Sequence, residues 1–212
     1  MCGIFGSNNI EEFRELCAKN TERGNFVRSI TQLFPQGLQS GTLVKTTHVT
    51  DFNKPIIESP FCIYYLGHVQ SPTSEVREFD EETSHPFTLN ERYLAHNGVL
   101  GNDRELIKEH KLDNCSNVDS SVILPLMETI GFKRALETLE GTFACWYYDA
   151  KNGSLRIFRS GSTLHHYRGN FTSTAIPDYK YIDEGNILEY NFTNNNFNEI
   201  DKFKLNSTPF FL

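Results

Sequence analysis

No stretch of this 212-residue chain approaches the roughly 18 uninterrupted apolar residues that a membrane helix needs. Its opening, MCGIFGSNNIEEF, has no basic region followed by a long apolar run, so neither a membrane span nor a secretory leader is expected. A stripe of lysine and arginine is also missing. The 20 basic residues are outnumbered by 27 acidic ones, for a net charge of -7, which argues against a surface that tracks phosphates. Close cysteine pairs are absent too: Cys2, Cys17, Cys62, Cys115 and Cys145 are odd in number and widely scattered, the pattern of neither a zinc knuckle nor a redox dithiol. The chain reads as soluble and cytoplasmic, in a reducing compartment, with no nucleic-acid or membrane partner.

What is present is material for a core. Hydrophobic residues make up 38% and aromatics 13%, enough buried apolar surface to offset chain entropy. With no internal repeat and no low-complexity linker, one domain over residues 1–212 is the expectation, with a short C-terminal extension from about 190. Ile10, Phe13, Leu16 and Cys17 recur at helical spacing. Strand-like runs follow: GTLVKTTHV from Gly41, FCIYYLGHV from Phe61 and RYLAHNGVL from Arg92. The middle is helical, from Asp103, from Asp119 and from Phe132, with Asp119 a candidate N-cap, Pro125 a candidate kink and Gly131 a candidate stop. FACWYYD and LRIFRS, joined through Asn152-Gly153, form a hairpin signal, and YKYI and NILEYNF are further short strands. Strands, then helices, then strands predict an antiparallel-rich α+β sandwich with helices packed on its sheets. Cys62 and Cys145, inside apolar runs, are expected to be small buried hydrophobes.

Cys2 carries the chemical signal. A small side chain at position two permits methionine removal, which would place a thiol beside its own α-amine, a built-in base with a pKa of about 8. Read alone, Cys2 is equally a small buried residue of an N-terminal strand, and Asn97-Gly98 equally a turn after a strand.

The surrounding residues point one way. Met1-Cys2-Gly3-Ile4-Phe5-Gly6 resembles the opening of class II glutamine amidotransferases, and further segments match in family order. They are Arg23-Gly24, Leu66-Gly67-His68-Val69, Ser84-His85-Pro86, Ala95-His96-Asn97-Gly98, the run from Val118 to Ile123 with Asp119, Gly141-Thr142-Phe143-Ala144, and Arg159 to Leu164. The resemblance extends from Cys2 to about Leu188.

It implies an N-terminal nucleophile hydrolase-like αββα sandwich of antiparallel sheets. It also implies a glutaminase that needs no metal or cofactor, takes glutamine as its substrate and passes ammonia to a separate synthetase or transferase. Cys2 would attack the side-chain amide, Asn97 and Gly98 would supply oxyanion donors, and Asp119 would bind the substrate ammonium, with Arg23, Gln70, Thr73 and His96 completing the binding set.

One segment departs from the pattern. The family loop runs Gly-His-x-Arg-aromatic-x-Thr and clamps a carboxylate with its Arg, whereas this chain reads Gly67-His68-Val69-Gln70-Ser71-Pro72-Thr73. A glutamine amide donates without charge, which forfeits part of a contact of about 1.5–3 kcal/mol and weakens substrate binding roughly ten-fold. Arg28 and Arg77 are the candidate compensating cations, each otherwise a solvated surface residue, and the acidic run from Glu78 to Glu82 reads as a solvated loop. Two alternatives stay open: an amide hydrolase of altered specificity and a non-catalytic regulatory module.

Overall fold

The computed structural model describes residues 2–35, 42–71 and 79–206. Two antiparallel sheets lie face to face, with one helix outside the first sheet and three outside the second. This is the α+β sandwich that the alternation of strands and helices predicts.

The first sheet is built around β1 (Gly3–Ser7), which pairs on one side with β4 (Tyr64–Gln70) and on the other with β10 (Asn170–Thr172). Beyond β4 come β2 (Val27–Pro35) and the edge strand β3 (Thr42–Val49); beyond β10 come β9 (His165–Tyr167) and β11 (Lys180–Tyr181). Among the described residues the second sheet runs in the order β13 (Asn196–Lys202), β12 (Asn186–Asn191), β8 (Ser154–Ser160), β7 (Gly141–Asp149), β6 (Arg92–Leu100) and β5 (Phe87–Leu89).

Period-two alternation sorts the side chains into layers. Ile4, Leu66, Ala95, Trp146 and Phe171 fill the space between the sheets. Phe5, Tyr65 and Val69 turn the other way and meet Phe13 and Leu16 of α1 (Ile10–Asn20). Leu94, Phe143 and Cys145 on the far face of the second sheet pack under α2 (Asp103–His110), α3 (Ile123–Ile130) and α4 (Phe132–Thr138). Trp146 ties the sheets together, its indole N–H donating to the Gly67 carbonyl at 3.1 Å. Gly67 itself admits no side chain, since a Cβ there would lie 2.2 Å from the Phe5 ring.

Several local expectations change in the folded chain. Asp119 opens a 3-10 turn, Asp119–Val122, rather than capping α3, because its carboxylate is taken by other donors described below. Pro125 falls in the first turn of α3, where its missing N–H costs no helical bond, so no kink is needed there. Cys145 is fully buried in β7, but Cys62 precedes β4 and is only partly buried. Gly131 does stop α3, at φ 90°.

Candidate active site

A cleft of about 580 Å³ opens beside the start of β1. Cys2 lines it, facing Gln70 and Ser71 from the end of β4, His96 and Gly98 from β6, and Asp119 from the 3-10 turn. Residues separated by more than a hundred positions meet here because β1 lies inside its sheet, next to β4, and because β6 packs across from it.

The start of the chain is held from several sides. Arg23, half-buried just after α1, donates its Nε–H to the Cys2 carbonyl at 3.0 Å; burial lowers its pKa, and the Cys2 thiol opposes that shift. The Ile4 N–H donates to Ser173 Oγ at 3.1 Å, and the Ser173 N–H returns a bond to the Ile4 carbonyl at 2.8 Å. Asn97 also points at Ser173, its Nδ2 donating to the same oxygen at 3.3 Å. Asn97 is thereby linked through Ser173 to Ile4, two residues after Cys2, and keeps a second amide N–H to give. It does not line the open cleft, because alternation along β6 turns it to the opposite face from His96.

Gly98 is the point where β6 turns the cleft wall. Its φ is +154°, and a Cβ there would lie 1.9 Å from the Thr142 carbonyl oxygen. Only a bare backbone fits, which leaves the adjoining N–H unshielded by a side chain.

His96 is buried, with Nδ1 2.7 Å from Ser120 Oγ and Nε2 3.3 Å from the Thr142 carbonyl. The Ser120 hydroxyl lies 3.1 Å from Asp119 Oδ1, so His96, Ser120 and Asp119 form one chain of polar groups. Asp119 also accepts the Leu100 N–H at 2.8 Å and the Ser120 N–H at 2.7 Å, an arrangement that aims a satisfied carboxylate at the cleft. Burial lowers the His96 pKa against the pull of Asp119 and keeps the ring neutral. His68, stacked on His85 with ring centroids 4.1 Å apart, is pushed down to about 3, by burial first and by the His96 and His48 rings after it.

Gln70 occupies its predicted place on the wall, 3% exposed, with Oε1 buried and without a hydrogen-bond partner among the described residues. Among the described lining residues no lysine or arginine faces the cleft, and the two charged ones, Asp80 and Asp119, are acidic. Thr73 and Arg77 lie outside the described residues. Arg28 does not compensate for Gln70. It is buried at 5% exposure rather than solvated, and sits on the α1 side of the sheet, opposite Val69 in register. Asp80, Glu81 and Glu82 of the acidic run are exposed, as expected, and Glu78 lies outside the described residues; Asp80 and the nearby Thr83 reach the cleft rim. Sequence reasoning passed over Ser173, Ser120 and His85 as site residues. Ser84-His85-Pro86 was visible as a segment, whereas nothing near Ser173 signals a role.

Comparisons with known proteins show what the chain is similar to. Residues 76–170 match the family model described as a glutamine amidotransferase domain, a stretch that holds His85, His96, Asn97, Gly98 and Asp119 and lies downstream of Cys2. The glutamine--fructose-6-phosphate aminotransferase [isomerizing] of Bacillus thuringiensis subsp. konkukian is 27% identical over 175 residues, which is 73% of this chain and 28% of that protein. Over most of its length the chain is thus similar to a glutamine-using aminotransferase, and over residues 76–170 to the amidotransferase domain model. Over 94 residues the chain is 35% identical to the 7-cyano-7-deazaguanine synthase of Sulfolobus acidocaldarius, covering 41% of this chain and 20% of that one. The chain thus spans only 20% to 28% of the length of these curated relatives. Its fold is that of the glutamine phosphoribosylpyrophosphate amidotransferase from B. subtilis, with a TM-score of 0.66 at 16% identity over 97% of this chain and 50% of that one. The sandwich of antiparallel sheets expected from the sequence is thus a fold shared with that enzyme. No helix among the described residues is long and apolar enough to cross a membrane.

Proposed function

We propose that this domain hydrolyses glutamine to glutamate and ammonia through a Cys2 thioester, and that the ammonia is used by a separate synthetase or transferase. The observation that carries the reading is the convergence of Cys2, Gly98 and Asp119 on one cleft, with Asn97 joined through Ser173 to the strand that follows Cys2. Removal of Met1 frees the α-amine of Cys2, which takes the thiol proton as sulfur attacks the side-chain amide carbon. The C–N bond then breaks and the proton leaves with ammonia; water cleaves the thioester and restores the thiol. Negative charge gathers on the former carbonyl oxygen in both steps, where Asn97 Nδ2 and the Gly98 N–H are the candidate donors. Asp119 supplies a carboxylate for the substrate ammonium. The relatives named above, a synthase and an aminotransferase in which this stretch is a minor share of the chain, support an ammonia-consuming partner.

The test is ammonia release from glutamine by chain whose N-terminus is verified as Cys2 by intact mass, beside Cys2→Ala. Turnover that vanishes in Cys2→Ala while the fold persists is the expected result. Unchanged turnover in that variant, or none in the verified wild type with or without a synthetase partner, overturns the proposal.

The cleft wall favours a second reading of the substrate. Gln70 stands without charge beside Asp80 and Asp119, an environment that suits an amino amide lacking a free carboxylate. A higher kcat/KM for glutaminamide than for glutamine would select it.

A further inference from the structure

On the other face of the first sheet lies a second pocket, of about 300 Å³. One wall is a stripe of α1 formed by Arg14, Cys17 and Ala18, residues that helical periodicity brings to one face, continued by Thr21 just past its end. Arg28 of β2 and the segment carrying Phe52 and Ile56 close the rest. No acidic residue lines it among the described residues.

Arg28 is the anomaly in this pocket. Its side chain is 5% exposed, yet among the described residues no carboxylate pairs with it. The guanidinium gives one N–H to the Lys54 carbonyl at 2.8 Å and approaches Cys17 Sγ at 3.9 Å, while its buried Nε has no partner. A guanidinium carries five N–H donors, so most of its capacity is unused. The Phe52 ring, 5.3 Å from the guanidinium carbon, offers a weak π-face contact. Cys17 is no counter-ion, since burial raises its thiol pKa despite the neighbouring arginine. Arg14 is already partly neutralised by Glu11 at 2.5 Å and gives two N–H groups to the Ile56 carbonyl. A buried, permanently charged group without a partner is costly to the fold, and burying an anion against it removes that cost.

We propose that this pocket binds a small organic oxyanion, its phosphate or carboxylate head on Arg28 with Arg14 at the rim, and its apolar body against Phe52 and Ile56. The site is separate from the Cys2 cleft. Arg28 pairs in register with Val69, whose side chain packs toward α1, whereas Cys2 opens to the other face through the parity it shares with Ile4. Occupancy therefore does not compete for the nucleophile.

Titration calorimetry on the full chain tests the proposal, using phenyl phosphate, benzoate and inorganic phosphate as probes. One of the two aromatic anions is expected to bind at millimolar concentration or tighter, more weakly as salt rises, and at least ten-fold more weakly to Arg28→Gln. The aromatic anion that binds better identifies the head group, and inorganic phosphate binds more weakly than either. Phe52→Ala and Arg14→Gln, both at less buried positions, weaken binding to a smaller degree and keep the test open if Arg28→Gln does not fold. No binding of any probe to the wild type, or equal binding to wild type and all three variants, overturns the proposal. Ammonia release plays no part in the readout, so its outcome is independent of the proposed function.

Discussion

Gly98 sits at a φ of +154° against the Thr142 carbonyl, and its side-chain-free backbone is what the oxyanion proposal needs. Gly98→Ala keeps the N–H but drives a Cβ into the Thr142 carbonyl and so displaces the donor; ammonia release is expected to fall toward the loss of about 10²- to 10³-fold that removing one such donor costs, read by initial-rate kinetics on a variant verified as folded. Gln70 makes the opposite kind of prediction. Gln70→Arg supplies a charged donor on the cleft wall and should raise kcat/KM for free glutamine by roughly ten-fold, mainly through KM, since the lost contact is one of binding. An unchanged KM would show that another group already holds the substrate carboxylate.

The elements that carry these residues are anchored by polar contacts at their ends. Asn9 caps α1, its Oδ1 accepting the Glu11 and Glu12 N–H groups at 2.9 and 3.1 Å. Asn9→Ala should lower stability by about 1 kcal/mol in urea denaturation and leave turnover intact. Ser173 is a more consequential joint because it accepts from Ile4, on the strand that follows Cys2, and from Asn97 together. Ser173→Ala leaves two buried donors short of a partner, at about 1–3 kcal/mol in stability. In the glutaminase reading, kcat should fall with it while KM holds, because Asn97 loses its anchor and the substrate contacts do not change.

At the scale of the whole molecule, two buried imidazoles make the fold sensitive to acid. His68 is held at about 3 and His96 is lowered from the ordinary value of 6.5, so both are neutral in the folded chain, whereas unfolded histidines protonate near 6.5. Below that pH the unfolded state binds more protons. The stability these groups contribute is complete above about 6.5 and declines as pH falls toward 3. The urea midpoint should therefore drop between pH 7.5 and 4.5, and less steeply in His68→Gln. An identical slope in that variant would rule out the buried His68 as a cause.

Taken alone, the sequence determined the class of fold and named Cys2, Gln70, His96, Gly98 and Asp119, which the structure brings to one candidate cleft. Hydrophobic spacing located α1 at Ile10 to Cys17 and the strand RYLAHNGVL, and the ordered segments marked Cys2, His96, Asn97, Gly98 and Asp119. Those signals are local, and local signals survive in a linear string. Only the tertiary structure decided that Arg28 is buried away from the cleft, that Asp119 spends its oxygens on Leu100 and Ser120 instead of capping a helix, and that Ser173 joins Ile4 to Asn97. Each depends on which strand lies beside which, and pairings across more than a hundred residues are set by the collective packing of two sheets, which no short window of sequence records.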